Sequence, residues 1–470
     1  MINLSRTGTR MPVQDPAERT NNFQEVAEGY TEEMAVREAL RCLQCREHPC
    51  MTEGCPVSNH IPDFIKKITE GEFEEAYQIL LETTVLPAVC GRVCPKYLQC
   101  EGNCVRGEKG RPVAIGSLER FVADLHRKRV QAGEIAEASP ANEAAGAAGK
   151  GKKVAVIGSG PAGLACAKDL SSAGYEVTVF DREKLPGGVL SYGIPSFRLP
   201  DEVLRFEIEG LTAAGVHFET GKELGKDISI DALMGAMGFS AVFLGNGAGS
   251  PMGLGIPGTE LTGVVSAADF LDRLNAAGSE EERKTVLPAS GKVAIIGGGN
   301  VAMDACRSAV RCPGVEKVCV VYRRSEKEMP ADPAEVAEAR EEGVEFIYLT
   351  APLEVLGENG SVVGLKCQRM ELSDPDASGR RKPVPVAGSE YTLPVNVVIE
   401  AIGSRSENEG VDGVDISERG LIIADPETLS TSRAGVFAGG DTVTGPRTVI
   451  AAMGAGRKAA KEIDSYLKKL

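Results

Sequence analysis

Two stretches of the chain share one pattern of apolar and polar positions: a short apolar run, a glycine cluster, an apolar-periodic helix and a second apolar run. KKVAVIGSGPAGLACAKDLSSAGYEVTVFDR at 152–182 reads as strand, turn, helix and strand, ending on Asp181 and Arg182. KVAIIGGGNVAMDACRSAVRCPGVEKVCVVYRR at 292–324 repeats the order 140 residues later. Continuous apolar strands alternating with helices predict βαβ units in a parallel sheet covered on both faces. NVVIEAIG at 396–403 and GVFAGGD at 435–441 supply further strands, so the first nucleotide domain is expected to resume after the second is inserted. Upstream, residues 31–126 carry helical periodicity, as in Glu32 to Cys42 and Ile61 to Leu81, interrupted by cysteine-bearing loops. QAGEIAEASPANEAAGAAGK at 131–150 almost lacks large apolar residues and reads as a linker.

The expected organisation is an α/β chain: a helical domain over 1–130, the linker 131–150, a first nucleotide domain over 151–288, a second over 289–403, and the remainder of the first over 404–470. A length of 470 residues suits several domains. No apolar run approaches the roughly 20 residues of a membrane helix, and MINLSRTGTRMPVQDP offers no apolar core for a secretion signal. A cytoplasmic location is the expectation. A net charge of −15 argues against nucleic acid as a partner, since phosphate binding needs concentrated Lys and Arg.

Eight of the 13 cysteines fall between Cys42 and Cys104. In a chain without a secretion signal, such clustering favours metal or cluster ligation over disulfides. Cys42, Cys45, Cys50 and Cys55 form C-x2-C-x4-C-x4-C; Cys90, Cys94, Cys100 and Cys104 form C-x3-C-x5-C-x3-C. Pro56 and Pro95 each follow a cysteine, as in bacterial ferredoxin runs, and two [4Fe–4S] centres are the expected reading. Structural zinc is the alternative, but its ligands come as close C-x2-C pairs, a spacing that only Cys42 and Cys45 have.

Gly158, Gly160 and Gly163, with Ser159, Pro161 and Ala162 between them, form a GxGxxG turn that sets backbone N–H groups and a helix N-terminus against a pyrophosphate. Asp181 at the end of the next strand is placed to accept from an adenosine ribose, which suits FAD or NAD and repels a 2′-phosphate. The second turn has Gly297, Gly298, Gly299, Asn300, Val301 and Ala302, but its second strand ends in Tyr322, Arg323 and Arg324 with no acid. A guanidinium binds a 2′-phosphate bidentately, so NADP(H) is expected there, with NAD(H) the alternative. Gly440 and Asp441, before a helix opening near Thr448 and Val449, match a further flavin contact: Asp441 for the ribityl chain, the helix N-terminus for the flavin pyrimidine.

With RCLQC at 41–45, GCPV at 54–57, LPAVCGRVCP at 86–95, CEGNC at 100–104, IGSLERF at 115–121, GGVLSYGIPSFRLP at 187–200 and VYRRSEKEMPA at 321–331, the chain resembles two related subunits over nearly its full length. These are the small subunit of NADPH-dependent glutamate synthase and the large subunit of NADH-dependent ferredoxin:NADP oxidoreductase; the same module opens dihydropyrimidine dehydrogenase. The resemblance implies that one cluster crosses over between quartets. By position, Cys42, Cys45, Cys50 and Cys104 hold the distal cluster, and Cys55, Cys94 and Cys100 hold the one near FAD with Glu119 as fourth ligand, leaving Cys90 a spare thiol. It also implies FAD contacts at Gly188, Leu190, Arg198 and Gly247, beside Arg182. MPVQDP followed by NNFQEVAEGYT looks closer to the transhydrogenase large subunits, which makes electron bifurcation the first expectation and electron delivery to a glutamate-forming subunit the second.

The expected chemistry is hydride transfer between NADPH and FAD, then one-electron steps through the proximal and distal clusters to a partner. That partner is a small flavoprotein with a [2Fe–2S] centre, a glutamine-hydrolysing large subunit, or ferredoxin. Hydride transfer by stacking needs no acid, base or nucleophile, so the four histidines carry no expected catalytic role. A flavin disulfide reductase needs a cysteine pair beside the flavin, and Cys166, Cys306 and Cys312 offer none. A non-catalytic docking scaffold is the remaining rival.

Overall fold

The computed structural model describes residues 3–136, 151–283, 285–375, 381–408 and 410–470. Most of the expected linker, residues 137–150, lies outside them. The N-terminal domain is helical, as its periodicity predicts. Helix α1 (Ile61–Glu70) buries Ile61, Phe64, Ile65 and Ile68, the i, i+3, i+4, i+7 stripe, and stops at Gly71, whose φ of 80° only glycine adopts freely. Helix α2 (Phe73–Leu81) packs on it, and α3 (Pro87–Val93) and α4 (Ile115–Gln131), packed on each other, complete the same buried cluster.

The first nucleotide domain begins with β1 (Lys153–Ile157), α5 (Pro161–Ser172) and β2 (Glu176–Asp181), followed by α6 (Asp201–Ala213), β3 (His217–Thr220) and β4 (Ala241–Leu244). Four of the five residues of β1 are buried, as a central parallel strand requires. The second domain takes β5 (Val264–Ser266), β6 (Gly291–Ile296), α7 (Asn300–Val310), β7 (Val315–Val321), α8 (Pro333–Glu341) and β8 (Glu345–Ile347). Then come β9 (Thr350–Glu358), β10 (Ser361–Leu372) and β11 (Pro383–Leu393), an antiparallel sheet of three strands, before β12 (Val397–Glu400) rejoins the second domain. Finally β13 (Val436–Ala438) and α9 (Val449–Leu467) return to the first.

Both main sheets are parallel, with orders β13-β4-β1-β2-β3 and β5-β12-β6-β7-β8. The interleaving expected from 435–441 is thus visible in the pairing of Phe437 with Phe243. One boundary moves: β5 pairs Val264 with Val398, so the second domain gathers residues well before 289. Two apolar residues, Val264 and Val265, ahead of a serine-capped helix gave no sign of which sheet they join.

The helical domain is not a loose appendage. One buried cluster runs from Phe64 and Val89 through Leu164 to Met453. The Ala88 N–H at the start of α3 donates to Glu207 on α6 at 2.8 Å. Among the described residues no helix is long and apolar enough to cross a membrane.

A buried ionic group marks the second domain's edge. Glu342, fully buried, takes Arg19 at 2.8 Å, Arg307 at 2.8 Å and Arg311 at 2.7 Å. Burial alone would raise its pKa, but hydrogen bonds and charge from Arg311 and Arg307 hold it down to about 2. A carboxylate depressed on folding stabilises fully above its unfolded pKa, about 4.3, and loses that contribution as pH falls toward the folded value. Glu342→Gln is therefore expected to lower unfolding free energy by about 3–5 kcal/mol at pH 7, because it removes the ion pair of the buried Arg311 and one of those held by Arg19 and Arg307. The loss should shrink as pH falls toward about 2. Urea unfolding at both pH values checks this, and an equal loss at both would contradict it.

Candidate functional site

Cys42, Cys45, Cys50 and Cys104 line one pocket, backed by Ile61, Ile65, Val113 and Ile115. Cys42 and Cys45 ride on a loop in which Gln44 and His48 adopt left-handed backbone (φ 50° and 46°), and His48 leads into the short helix Pro49–Thr52 that carries Cys50 to the same pocket. Cys104 arrives from the second cysteine loop. Burial and the neighbouring Cys104, Cys42 and Cys45 push the Cys50 thiol up to about 12. Four sulfurs so placed repel one another as thiolates, and a cationic iron centre relieves that repulsion.

The second group forms where the two loops meet. A Cβ on Gly54 would lie 2.8 Å from the Cys100 Cα and from the Cys50 carbonyl, so glycine lets them touch. Cys55 accepts the Asn59 N–H at 3.4 Å. Burial raises its thiol, two backbone N–H groups oppose that, and Glu119 and Cys90 add to it. Cys100 is raised by burial, then by Glu101, Glu119 and Cys55. Glu119 is 8% exposed and pushed up to about 8 by burial, with Lys96 pulling down and Glu207 pushing up. It reaches this point because Gly91 lets α3 press on α4: a Cβ there would stand 2.6 Å from the Arg120 nitrogen. Cys94 ends α3 and is hydrogen-bonded to Cys90. Cys90 has protein partners of its own, accepting Thr84 Oγ1 at 3.6 Å and donating to Met453 Sδ at 3.7 Å.

Among the described residues no three His, Cys, Asp or Glu side chains close on one ion-sized point. In a cubane each ligand binds a different iron corner, so its four ligands stand farther apart than the four sulfurs around one zinc ion. Both groups suit clusters.

The first glycine turn is shaped as its motif predicts. Gly158 has φ 94°, and a Cβ on Gly163 would sit 1.8 Å from the Gly158 carbonyl oxygen. Gly160 caps α5 without a side-chain partner, and a Cβ there would meet nothing within 4 Å, which leaves an open cradle at the helix N-terminus. Asp181 Oδ2 takes the Ser159 N–H and hydroxyl at 2.6 and 2.5 Å, and Oδ1 takes the Glu183 N–H at 2.8 Å. A carboxylate offers about four acceptor positions, so one remains for a ribose. Gly188 lies against Gly160, Leu190 is buried, and Arg182 is half-exposed beside Glu183. The Gly247 carbonyl accepts from Ser406 at 3.0 Å. A Cβ on Gly440 would touch Ala162, and burial pushes the Asp441 carboxyl up to about 6. Thr448 caps α9, ahead of Val449.

Two contacts join this site to the second cysteine group. Gln99, next to Cys100, donates to Thr448 Oγ1 at 3.4 Å, and a Cβ on Gly454 would meet Val57 at 3.1 Å. The start of α9, expected at the flavin, therefore rests on the cysteine loops.

At the second turn, a Cβ on Gly297 would sit 2.2 Å from the Ala401 carbonyl and one on Gly298 2.6 Å from the Tyr322 ring, whereas Gly299 is open. Asn300 Oδ1 takes the Asp332 N–H at 2.8 Å, Val301 is exposed and Ala302 is buried. Arg323 is exposed, and Arg324 Nε is buried with no hydrogen-bond partner in the protein. An orphaned guanidinium nitrogen three residues beyond the end of β7 fits a 2′-phosphate. Arg324→Ala is expected to raise KM for NADPH about 10–100-fold with kcat kept and NADH barely affected. Steady-state dye reduction with both nucleotides checks this, and equal loss with both would contradict it.

Arg198, an expected flavin contact, reaches across to the second domain. Its guanidinium pairs with Asp304 at 2.7 Å and Glu335 at 3.0 Å on the second domain. Sequence reasoning missed Asn246, whose Oδ1 is buried without a partner beside Gly247. A lone asparagine after a strand gives no pattern.

Residues 152–456 match the family model described as pyridine nucleotide-disulphide oxidoreductase, and residues 19–131 match dihydropyrimidine dehydrogenase domain II, 4Fe-4S cluster. The glutamate synthase [NADPH] small chain of Escherichia coli (strain K12) is 40% identical over 96% of this chain and 95% of its own. The NADP(+)-dependent formate dehydrogenase subunit beta of Moorella thermoacetica is 43% identical over 90% of this chain, which spans only 60% of that protein. Mycobacterium tuberculosis FprA in complex with NADPH shares the fold, with a TM-score of 0.55 and 21% identity over 68% of this chain and 84% of FprA.

Proposed function

The chain belongs to the pyridine nucleotide-disulphide oxidoreductase family, in the branch of glutamate synthase small chains with an N-terminal [4Fe–4S] domain, and from that premise we propose that it carries electrons from NADPH to a partner subunit. It is an NADP(H)-dependent oxidoreductase of FAD and [4Fe–4S] clusters. The observation that carries the proposal is the contact of Gln99 with Thr448, which sets the proximal cysteine group against the flavin helix. When bound, FAD supplies the exchange between two-electron and one-electron chemistry and the clusters supply one-electron relay.

The protein's own residues orient and exclude. The open N-termini of α5 and α7 hold pyrophosphates, Arg324 selects the 2′-phosphate, and Cys55, Cys94, Cys100 and Glu119 hold the proximal cluster. Cys42, Cys45, Cys50 and Cys104 hold the distal one. Collinearity with glutamate synthase small chains over 95% of their length supports a glutamate-forming partner. The N-terminal MPVQDP and NNFQEVAEGYT segments support the second reading, the large subunit of a bifurcating ferredoxin:NADP oxidoreductase.

The partner docks at the distal cysteines. Arg106 lines that pocket, Arg46 adjoins Cys45, and the Arg111 N–H donates to the Arg6 carbonyl at 2.9 Å. With Lys109 these five cations outnumber Glu47, Glu53 and Glu108, a positive rim on a chain of net charge −15. An acidic carrier is steered there. Charge reversal by Arg46→Glu with Lys109→Glu is expected to slow reduction of an acidic one-electron acceptor about tenfold at low salt, and little at high salt. Flavin reduction by NADPH should be unchanged. A loss independent of salt would contradict the docking site.

A further inference from the structure

Residues 13–27 touch all three domains. Toward the cysteine domain, Glu25 meets Arg92 at 2.8 Å and Arg120 at 3.1 Å. Toward the first nucleotide domain, the Val26 N–H donates to the Phe197 carbonyl at 2.9 Å, and the Ser196 hydroxyl donates to the Phe23 carbonyl at 3.1 Å. Toward the second, Arg19 meets Glu342 at 2.8 Å and Glu341 at 2.9 Å, while Arg311 Nε donates to the Asn22 carbonyl at 3.0 Å.

An N-terminal segment usually frays unless something ties it down. Here the tie is a guanidinium with no exposed surface, and a buried charge is held only where its partners are held with it. Glu342 already has Arg307 and Arg311 within its own domain, so Arg19 is not needed to neutralise it. What Arg19 adds is attachment across the joint. Arg198 crosses the same joint directly, and the Phe197 ring beside it lies under Arg311 at 4.2 Å.

We propose that residues 13–27 form a strap that fixes the NADP(H)-binding domain against the flavin domain, with Arg19 as the positioning residue. The proposal rests on the electron-transfer reading above, because the distance between the two nucleotide sites is what the strap sets. Neither site contains a strap residue, and each sits in a rigid βαβ unit, so the strap acts on their separation and not on either affinity. A misplacement of about 1 Å between reacting groups slows a reaction about 100-fold, which makes such a joint consequential.

The test uses the full chain carrying Arg19→Ala, with Arg19→Lys as the conservative variant and Phe23→Ala in case removal of a buried charge partner prevents folding. Two readouts are taken. In hydrogen exchange, Arg19→Ala is expected to accelerate the amides of Val26, of 194–200 and of α8, leaving β1 and β6 protected. In anaerobic stopped flow, flavin reduction by NADPH is expected to slow about tenfold or more, with NADP+ affinity, FAD and iron contents unchanged and partial recovery in Arg19→Lys. Exchange confined to the strap, with 194–200 and α8 as protected as in the parent, would overturn the proposal. So would a parental reduction rate with the strap amides freely exchanging. If NADPH fails to reduce the parent's flavin, the functional reading falls, and the exchange pattern still decides whether the strap holds the domains.

Discussion

Protein carrying Gly163→Val is expected to be purified without flavin. The reason is local and severe: a Cβ at this position would stand 1.8 Å from the Gly158 carbonyl oxygen and 3.2 Å from a Val156 methyl. Backbone cannot yield that much. Gly158 has φ 94° and is itself pressed against Gly245, with 2.5 Å between its missing Cβ and that carbonyl. Helix α5 must then lift off β1, and its N-terminal N–H groups leave the pyrophosphate position. On its far side α5 is locked against α9, where a Cβ on Gly456 would lie 2.0 Å from the Ala162 carbonyl, so the displacement strains both helices. The expected stability loss is about 1–3 kcal/mol or more. Gly160→Val separates folding from binding: its Cβ meets nothing, so the chain folds normally while the side chain fills the cradle. Released FAD and circular dichroism on both variants check this. Retention of flavin by Gly163→Val would remove the first glycine turn from the account.

The second large effect concerns iron. Two [4Fe–4S] clusters require about eight irons per chain. Cys50→Ala, in the pocket shared with Cys42, Cys45 and Cys104, is expected to reduce this to about four. Cys100→Ala should do the same at the other site. Cys90 and Glu119 give the sharper comparison, because both face the proximal group. Cys90 is occupied by Thr84 and Met453. Glu119 is buried in the neighbourhood of Cys55 and Cys100, with its carboxyl pushed up to about 8 by that burial, and the family resemblance makes it the fourth ligand. Cys90→Ala is therefore expected to keep about eight irons and Glu119→Ala to lose the proximal cluster, read by iron and sulfide assay with EPR. The reverse pattern would assign the fourth ligand to Cys90.

Much of this was legible because the signals are local. A glycine turn between an apolar strand and a helix lies within about 30 residues, so 152–182 and 292–324 announce their βαβ units directly. Cysteine spacing announced two centres, but spacing alone pairs the quartets in order. The shared pocket of Cys104 with Cys42, Cys45 and Cys50 arises because the chain returns after α3, and only the family resemblance anticipated it. The strap was not legible at all. Arg19 meets Glu342 across 323 positions, and a polar segment containing Arg19, Asn21 and Asn22 reads as solvated surface. The Arg198 ion pairs were hidden for the same reason, since Asp304 and Glu335 lie on helices of the other domain. The antiparallel sheet β9 to β11 was missed because its strands are largely half-exposed and mixed in polarity.

The measurement that tests the central claim most directly is anaerobic titration of the purified chain with NADPH and with NADH, after iron and sulfide assay, following flavin absorbance and low-temperature EPR. The account predicts about eight irons, flavin bleaching by NADPH in preference to NADH, and cluster signals appearing as reduction proceeds. A chain without iron, or a flavin that neither nucleotide reduces, would contradict it.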